Sequence, residues 1–564
     1  MTNMDQMKDD FTITQWADIK PYLDEILEAD ISSGKELEEL IRMSGMVYEK
    51  LEEDYAWTYI HMTTDTENEE YRKAYSNFTQ NILPEYERTV HRINKKFVGS
   101  EYFDSMSDEM EQIRKKIKLS IELFREENVE LRKKISEITT EYQRLVGSLT
   151  TEFRGEEYTI NQMAKFLKDK DRQTRKEAYD KVVEARLSIR DNVNEIFDRL
   201  IPLRQELAKN AGFDNYRDFR FKELQRTDYS VEDCRQFHDS VKEACIPVYE
   251  KLLEEKKRML GIDTMFPYDK AAPAESEKKL KPFEDVDEFV AKSVKVFTKV
   301  KPRFGEILAD IHKSGNMDLE NRKGKAPGGY NYPLLKTGMP FIFMNAVKMH
   351  SDMRTLMHEG GHGIHAVLTR EQFPFYYKST PSEVAELASM SMELLTMDHW
   401  DEFYKDEDEL KQAKREQLEG IIKIFPWIAL VDKFQHWVYE NKDHTPQQRA
   451  EAFKDMMLQF GESFFDWSDY DEYMKNVWQK QIHIIEMPFY YIEYGIAQLG
   501  ALQIWKNSKE DKKKAIEQYL NALKLGSSRS IPEIYETAGI KFDFSGENIS
   551  NLMEFTFDEY SKLL

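Results

Sequence analysis

The chain has 564 residues, of which 40% are hydrophobic and 12% aromatic, so it has enough apolar surface for a large folded core. Its 104 acidic and 81 basic residues give a formal net charge of −23. This acidity argues against nucleic acid and anionic membranes as partners, because both attract basic proteins. With only two cysteines, Cys234 and Cys245, a disulfide scaffold and a cysteine-rich zinc module are excluded.

The beginning of the sequence lacks the basic start and apolar run of a secretory signal, and no segment has the length of apolar residues that a membrane span needs. We therefore expect a cytoplasmic protein whose two thiols are reduced.

The first half of the chain is predicted to be helical, with a helical hairpin or a coiled-coil arm over 105–150. Apolar residues recur three and four positions apart over 35–63, 64–100 and 105–150, and glycine and proline are few. Residues 148–155 interrupt this pattern and predict a short strand or turn. Further on, residues 340–344 (Pro-Phe-Ile-Phe-Met) form an apolar run typical of a strand. It is either an ordinary buried strand or an edge strand that pairs with an extended peptide.

The strongest motif follows this strand. His358-Glu359-Gly360-Gly361-His362 is a His-Glu-x-x-His sequence, within a segment whose apolar spacing predicts a helix over 350–368. Residues four apart share a helix face, so the two imidazoles would point the same way, as two ligands of one metal ion must. Glu359 would then lie beside the metal at an angle suited to a general base. The glycines lower helix propensity and indicate close approach of another backbone or a substrate.

A zinc site for hydrolysis needs three protein ligands and one open position. The next helix is predicted to begin with Thr380 as its cap and Pro381 at its first position, and Glu383 would complete a capping box. Glu386 lies one turn inside that helix, and we expect it to be the third ligand.

Two neighbouring residues bear on this assignment. His365 is seven residues from His358 and shares its helix face, which makes it the competing third ligand. Glu393 is seven residues beyond Glu386, where it can accept a hydrogen bond from the second ring nitrogen of a ligand histidine.

These residues also carry a resemblance to a known family. The His358–His362 motif, followed by 380–390 (Thr-Pro-Ser-Glu-Val-Ala-Glu-Leu-Ala-Ser-Met), resembles the zinc core of oligoendopeptidase F, a relative of thimet oligopeptidase. Residues 483–494 and the Gly328-Gly329-Tyr330 loop before the strand are similar to that family as well. The resemblance spans about 324–500, and we extend it to the whole chain.

The resemblance implies a set of site residues. One zinc ion would be bound by His358, His362 and Glu386. The general base would be Glu359. The substrate carbonyl would accept hydrogen bonds from Tyr491, Tyr494 and His483. Tyr491 and Tyr494 are three positions apart on a helix that Pro488 is predicted to start, so both hydroxyls would share one face.

The resemblance also implies a mostly α fold: a large helical ellipsoid divided by a deep substrate channel, with a small β-sheet beside the zinc site. Residues 1–190 would form an N-terminal helical domain that walls the channel. Residues 191–564 would form the catalytic zinc-peptidase domain.

The predicted function is that of a zinc-dependent oligoendopeptidase of the gluzincin type, which hydrolyses internal bonds of short, unfolded peptides with a zinc-activated water. Two alternatives stay open. A zinc carboxypeptidase of similar helical architecture would trim single C-terminal residues. A peptide-binding module without catalysis would have no need for Glu359.

Overall fold

The computed structural model describes residues 11–372 and 375–564, and helices dominate it. The helices up to residue 260 are α1 (Trp16–Glu28), α2 (Gly34–Thr64), α3 (Glu69–Asn77), α4 (Leu83–Val98), α5 (Glu111–Leu123), α6 (Glu126–Gly147), α7 (Ala164–Leu167), α8 (Arg172–Ser188), α9 (Arg190–Asn210), α10 (Tyr216–Glu223) and α11 (Val231–Leu260). The later helices are α12 (Val286–Val300), α13 (Pro302–Lys313), α14 (His350–Thr369), α15 (Ser382–Thr396), α16 (Glu407–Glu440), α17 (Pro446–Gln459), α18 (Asp471–Asn476), α19 (Ile482–Glu486), α20 (Ile492–Glu510), α21 (Lys512–Leu523), α22 (Ile531–Thr537) and α23 (Gly546–Ser561). The strands are β1 (Thr150–Phe153), β2 (Glu156–Thr159), β3 (Met317–Glu320), β4 (Tyr330–Tyr332) and β5 (Phe341–Ala346).

The predicted N-terminal helices are present, but two of them are divided. Helix α2 matches the predicted helix 35–63. The predicted helix 64–100 is interrupted before α3, where the Asn68 side chain accepts hydrogen bonds from the backbone of Glu70 and Tyr71 and so caps a new helix. The predicted helix 105–150 is divided at Phe124, whose backbone is extended.

Contacts divide the chain into two compact units. Unit 1 contains residues 11–124, 280–413 and 497–542, and unit 2 contains residues 125–279, 414–496 and 543–564. Each unit is assembled from three separate stretches, so the units do not coincide with the predicted domains 1–190 and 191–564. Those domains stay a prediction.

The larger sheet lies in unit 1 and has the strand order β3-β5-β4. Strand β5 is parallel to β3 and antiparallel to β4, with Met317 opposite Ile342 and Tyr332 opposite Phe341. The side chains of Phe341, Ile342, Phe343 and Met344 are all buried. The strand predicted at 340–344 is confirmed, but the alternative that it is an edge strand is wrong, because both of its sides are paired. The edge strands are β3 and β4.

Helix α14 follows β5 after three residues. Asp352 Oδ2 accepts hydrogen bonds from the backbone N–H groups of Val347 (2.7 Å) and Met349 (2.8 Å), which fixes the start of the helix. Helix α14 then packs against β5, α13 and α15, and four of its apolar residues, Met353, Leu356, Met357 and Ile364, have no exposed surface. The predicted helix 350–368 is confirmed, and the sheet holds it in place.

The two longest helices of unit 2, α11 and α16, lie side by side. His238 and Lys256 on α11 contact Asp432 and Glu419 on α16, respectively, at 2.7 and 3.5 Å. Because earlier residues of α11 contact later residues of α16, the two helices are antiparallel.

The strand or turn predicted at 148–155 is the β1–β2 hairpin, which also lies in unit 2. Its strands pair antiparallel from Thr150 opposite Thr159 to Phe153 opposite Glu156. The turn residues Arg154 and Gly155 both have positive φ, as a two-residue hairpin turn requires. Nowhere in the described ranges does a helix have both the length and the apolar run needed to cross a bilayer.

Candidate metal centre

Helices α14 and α15 bring the three predicted zinc ligands together in unit 1. Glu386 Oε2 lies 3.4 Å from His358 Nε2 and 3.8 Å from His362 Nε2. All three ligand atoms lie within 4.8 Å of one another. The side chains of His358 and His362 are 23% and 18% exposed, so solvent reaches the imidazoles, whereas Glu386 is buried.

Glycines in α14 allow the close helix packing on which this geometry depends. A Cβ at Gly361 would lie 2.6 Å from the Cα of Ser389 and 2.9 Å from the carbonyl oxygen of Ala388, both on α15. A Cβ at Gly360 would lie 2.5 Å from the Phe297 ring on α12. The close approach that the glycines indicated is therefore made by the backbone of α15 and by a buried aromatic ring.

Glu393 on α15 contacts the other side of the His358 ring, as its position in the sequence predicted. Its Oε1 lies 2.7 Å from His358 Nδ1, and its Oε2 lies 3.8 Å from an Arg354 guanidinium nitrogen. A proton on Nδ1 that is donated to Glu393 leaves Nε2 free to bind a metal. Burial alone would lower the pKa of His358, but the hydrogen bonds and charges of Glu386 and Glu393 raise it well above its ordinary value.

The pKa values of His362 and Glu359 also fit a metal centre. Burial lowers the pKa of His362 to about 4, so this imidazole is neutral, as a ligand must be. Burial is the main reason that the pKa of Glu359 rises to about 7, and its Oε2 has no hydrogen-bond partner among the described residues. Two imidazoles and a carboxylate, with a further unpartnered carboxylate beside them, are a donor set that fits one zinc ion with an open position.

His365, the competing ligand, is placed elsewhere. It is 4% exposed, and its ring is hydrogen-bonded to the backbone of Leu523. Burial lowers its pKa to about 3. Its nitrogens are not among the converging ligand atoms, so the structure brings Glu386, and not His365, to the two imidazoles.

The predicted cap of α15 is wrong. The helix begins at Ser382, and the residue that precedes it is Pro381, whose side chain cannot accept a hydrogen bond. Thr380 therefore lies outside the helix start, and Glu383 cannot complete a capping box. Glu383 is instead buried, at 3% exposure.

The three predicted carbonyl-contacting residues form a ring cluster in unit 2. The His483 ring lies 4.8 Å from the ring of Tyr491 and 5.8 Å from that of Tyr494, and the two tyrosine rings are 5.4 Å apart. Tyr490 joins this cluster at 5.4 Å from Tyr494, although the sequence did not single it out. All four side chains are partly exposed. Tyr491 precedes α20, so the prediction that both tyrosines lie on one helix is wrong.

Polar contacts hold this ring cluster. The Trp427 indole N–H donates to Gln481 Oε1 (3.0 Å), and the Gln481 amide donates to His483 Nδ1 (2.7 Å). Burial raises the pKa of Tyr491 to about 12, so its hydroxyl keeps its proton at neutral pH and can donate a hydrogen bond.

The turn before the tyrosines has an unusual backbone. Phe489 has φ of +65°, a left-handed conformation that costs energy for a residue other than glycine. Its N–H donates to Gln435 Oε1 (2.7 Å), and its carbonyl accepts from Arg226, which pairs with Glu493 at 2.9 Å. Arg226 and Glu493 are buried. The turn is thus fixed by residues far away in sequence, which is why Pro488 does not start the predicted helix.

Comparison with known proteins assigns the chain to a family. The model of peptidase family M3 matches residues 165–553, and that of the peptidase M3 N-terminal domain matches residues 8–124. The chain belongs to peptidase family M3. The resemblance to oligoendopeptidase F is confirmed, since proteins of that name are among the relatives of this M3 peptidase.

Relatives and solved structures cover most of the M3 peptidase. An oligoendopeptidase F homolog of Borreliella burgdorferi is 23% identical over 542 residues, which are 92% of this chain and 89% of the relative. Oligopeptidase PepF of Bacillus subtilis is 25% identical over 334 residues, which are 57% of this chain and 48% of the relative. A solved structure of PZ peptidase A with an inhibitor is 26% identical, has a TM-score of 0.90 and covers 99% of both chains. The mostly α fold is confirmed, and these likenesses support a metal-dependent oligopeptidase.

Proposed function

We propose that this chain is a zinc-dependent oligoendopeptidase that hydrolyses internal bonds of short, unfolded peptides. The observation that carries the proposal is the convergence of His358, His362 and Glu386 beside the unpartnered carboxylate of Glu359. Family membership and the names of the relatives support it.

His358, His362 and Glu386 would hold the zinc ion, which makes the enzyme a gluzincin. When bound, zinc lowers the pKa of a coordinated water and polarises the carbonyl of the bond to be cut. The exposed side of the two imidazoles is where water and substrate would enter.

Glu359 would move the proton. Its carboxylate accepts a proton from the attacking water as the new carbon–oxygen bond forms, and it delivers that proton to the amide nitrogen as the carbon–nitrogen bond breaks. A pKa near 7 suits both steps, because the group can take and release a proton at neutral pH.

Tyr491, Tyr494 and His483 would stabilise the negative charge that develops on the carbonyl oxygen. The Tyr491 hydroxyl, which keeps its proton, is a suitable donor for this purpose. The contacts of His483 with Gln481 and of Gln481 with Trp427 would fix the orientation of its ring.

We also propose β4 as the strand that pairs with the substrate backbone. It is an edge strand, and Asn331 on β4 donates to the backbone carbonyl of Glu359 (3.3 Å). Pairing through main-chain atoms would give broad specificity. The predicted channel would limit substrates to short peptides, and the cytoplasm stays the predicted location.

Mass spectrometry of a peptide-mixture digest tests the proposal. The unaltered chain is expected to cut peptides at internal bonds. The variant Glu359→Gln should cut about 10²–10⁴-fold more slowly but should still bind zinc. Glu306→Gln, which changes an exposed carboxylate on α13, should cut normally. A chelator should stop cleavage and zinc should restore it. Release of single C-terminal residues would indicate the carboxypeptidase instead, and undiminished cleavage by Glu359→Gln would reject Glu359 as the base.

A further inference from the structure

Unit 2 contains a second group of metal-ligating side chains. Cys234 and His238 are four residues apart on α11, and Asp432 and His436 are four residues apart on α16. Each pair therefore lies on one face of its helix. The two faces meet, since His238 Nε2 lies 2.7 Å from Asp432 Oδ2 and His436 Nε2 lies 3.3 Å from the same oxygen.

All four side chains are buried, with exposures of 1% for Cys234, 3% for His238, 0% for Asp432 and 4% for His436. The ligand atoms of Cys234, Asp432 and His436 lie within 4.8 Å of one another. Among the described residues, Asp432 Oδ1 and His436 Nδ1 have no hydrogen-bond partner, and the contact of His436 Nε2 is the 3.3 Å approach to Asp432 Oδ2. Buried polar atoms are nearly always partnered, so these converging atoms indicate an occupant.

The chemistry of the donors identifies the occupant. Contacts of His238 and His436 with Asp432 Oδ2 account for part of this group, but they leave His436 Nδ1 and Asp432 Oδ1 without partners. A thiolate sulfur, an imidazole nitrogen and a carboxylate oxygen together are typical ligands of Zn²⁺. Thiolate and carboxylate also balance the two positive charges of the ion, which lowers the cost of placing it in a low-dielectric interior.

We propose that Cys234, Asp432 and His436 bind a structural zinc ion that links α11 to α16, in addition to the ion at His358, His362 and Glu386. His238 donates to Asp432 and orients its carboxylate. His436 packs edge-on against Phe489, with ring centroids 5.3 Å apart, so the ion also supports the turn that carries the tyrosines.

The number of zinc ions per chain tests the inference. It is measured by inductively coupled plasma mass spectrometry after the protein has been loaded with Zn²⁺ and desalted. We expect two ions in the unaltered chain, one in the double variant His358→Ala, Glu386→Ala, and one in Cys234→Ser. Cys245→Ser is the matched control and should keep two ions, because Cys245 is equally buried on the same helix but outside the group. One ion in the unaltered chain and none in the double variant would overturn the inference.

Cobalt spectroscopy keeps the test decisive if Cys234→Ser fails to fold. The double variant, with Cys234 intact, is loaded with Co²⁺, and a thiolate-to-cobalt charge-transfer absorption is expected. A folded double variant without that absorption overturns the structural site. If the double variant keeps the full metal content of the unaltered chain and shows the absorption, the structural site stands and the proposed catalytic zinc fails.

Discussion

Glu393 sets the state of the His358 imidazole, a proposed zinc ligand, without occupying a ligand position itself. It accepts a hydrogen bond from His358 Nδ1 and lies 3.8 Å from an Arg354 nitrogen, so the Arg354 guanidinium helps to fix the carboxylate in place. This arrangement selects the tautomer whose Nε2 is unprotonated. The ring also loses the freedom to rotate away from Glu386.

Replacing Glu393 with alanine should therefore weaken zinc binding about 10–100-fold, because the ring of His358 would no longer be oriented. Competition with a coloured chelator measures the zinc affinity. Asp398→Ala is a suitable control, since Asp398 is an exposed carboxylate that pairs with Lys509. Equal zinc affinity in the two variants would contradict the role given to Glu393.

At the scale of residues, the sequence predicts which side chains come together when they share a helix or lie on consecutive helices. His358 and His362 are recognised from their spacing alone, and Glu386 and Glu393 follow from the next helix. The partners of Phe489 are different, because Gln435 and Arg226 lie 54 and 263 residues away in the chain. Only tertiary packing brings them to that turn, so helical periodicity carries no signal of them.

At the scale of elements, the close crossing of α14 and α15 depends on glycine. Gly361→Ala should destabilise the protein by about 1–3 kcal/mol, because the added methyl would meet the Ser389 backbone, which cannot move like a flexible side chain. Denaturant unfolding measures the change. A Cβ at Gly34 would meet no atom within 4 Å, so Gly34→Ala should be neutral or slightly stabilising. A Gly361→Ala protein as stable as this control would show that the helices separate easily.

Helices α11 and α16 are also joined by a half-buried charge group that responds to pH. Glu419 is paired with Lys423 on its own helix and with Lys256 on α11. Burial raises the pKa of Glu419, but the two lysines lower it further, to about 2. A carboxyl whose pKa is lower in the folded state stabilises the protein above its unfolded-state pKa of 4.5, and this stabilisation is lost as pH falls toward 2.

We therefore expect the difference in free energy of unfolding between the unaltered chain and Glu419→Gln to be constant at neutral pH. It should shrink by up to about 3 kcal/mol as pH falls through the acid range. Urea unfolding at a series of pH values measures it. Glu407→Gln, at an exposed position in the first turn of the same helix, should show no such trend. A difference that stays constant down to the acid limit would contradict the coupling.

Two elements beside the candidate site were predicted well because local sequence decides them. The run at 340–344 gives a strand and the spacing over 350–368 gives a helix. The place of β5 in the centre of its sheet was not predictable, because its neighbours β3 and β4 are short and have no strong pattern of their own. Strand order depends on which backbone edges pair, and side-chain periodicity does not encode that.

At the scale of the whole molecule, composition and the family motif predicted a large, mostly helical peptidase. The two compact units were not predicted, since they are defined by contacts between stretches that are far apart in the chain. Local sequence therefore indicates which elements form, and distant contacts decide which of them belong together.

Substrate size is the property of the whole molecule that the proposed function makes testable. If a channel admits only short, flexible chains, fragments of a protein should be cleaved far faster than the same protein in its folded form. Initial rates on one test protein, compared before and after its digestion into short peptides, give the answer. Equal rates on both would remove the basis for a length limit.

The discontinuity of unit 1 has a consequence for folding during synthesis. The Tyr519 hydroxyl donates to the Ala388 carbonyl (2.7 Å), and Gly500 packs beside Leu387, so α15 rests on the last stretch of unit 1. While the ribosome is still translating, the helices with the proposed zinc ligands have already emerged, but the segment that covers them has not. The nascent chain must carry this apolar surface uncovered until α20 and α21 have appeared, and chaperones would be needed most during that interval.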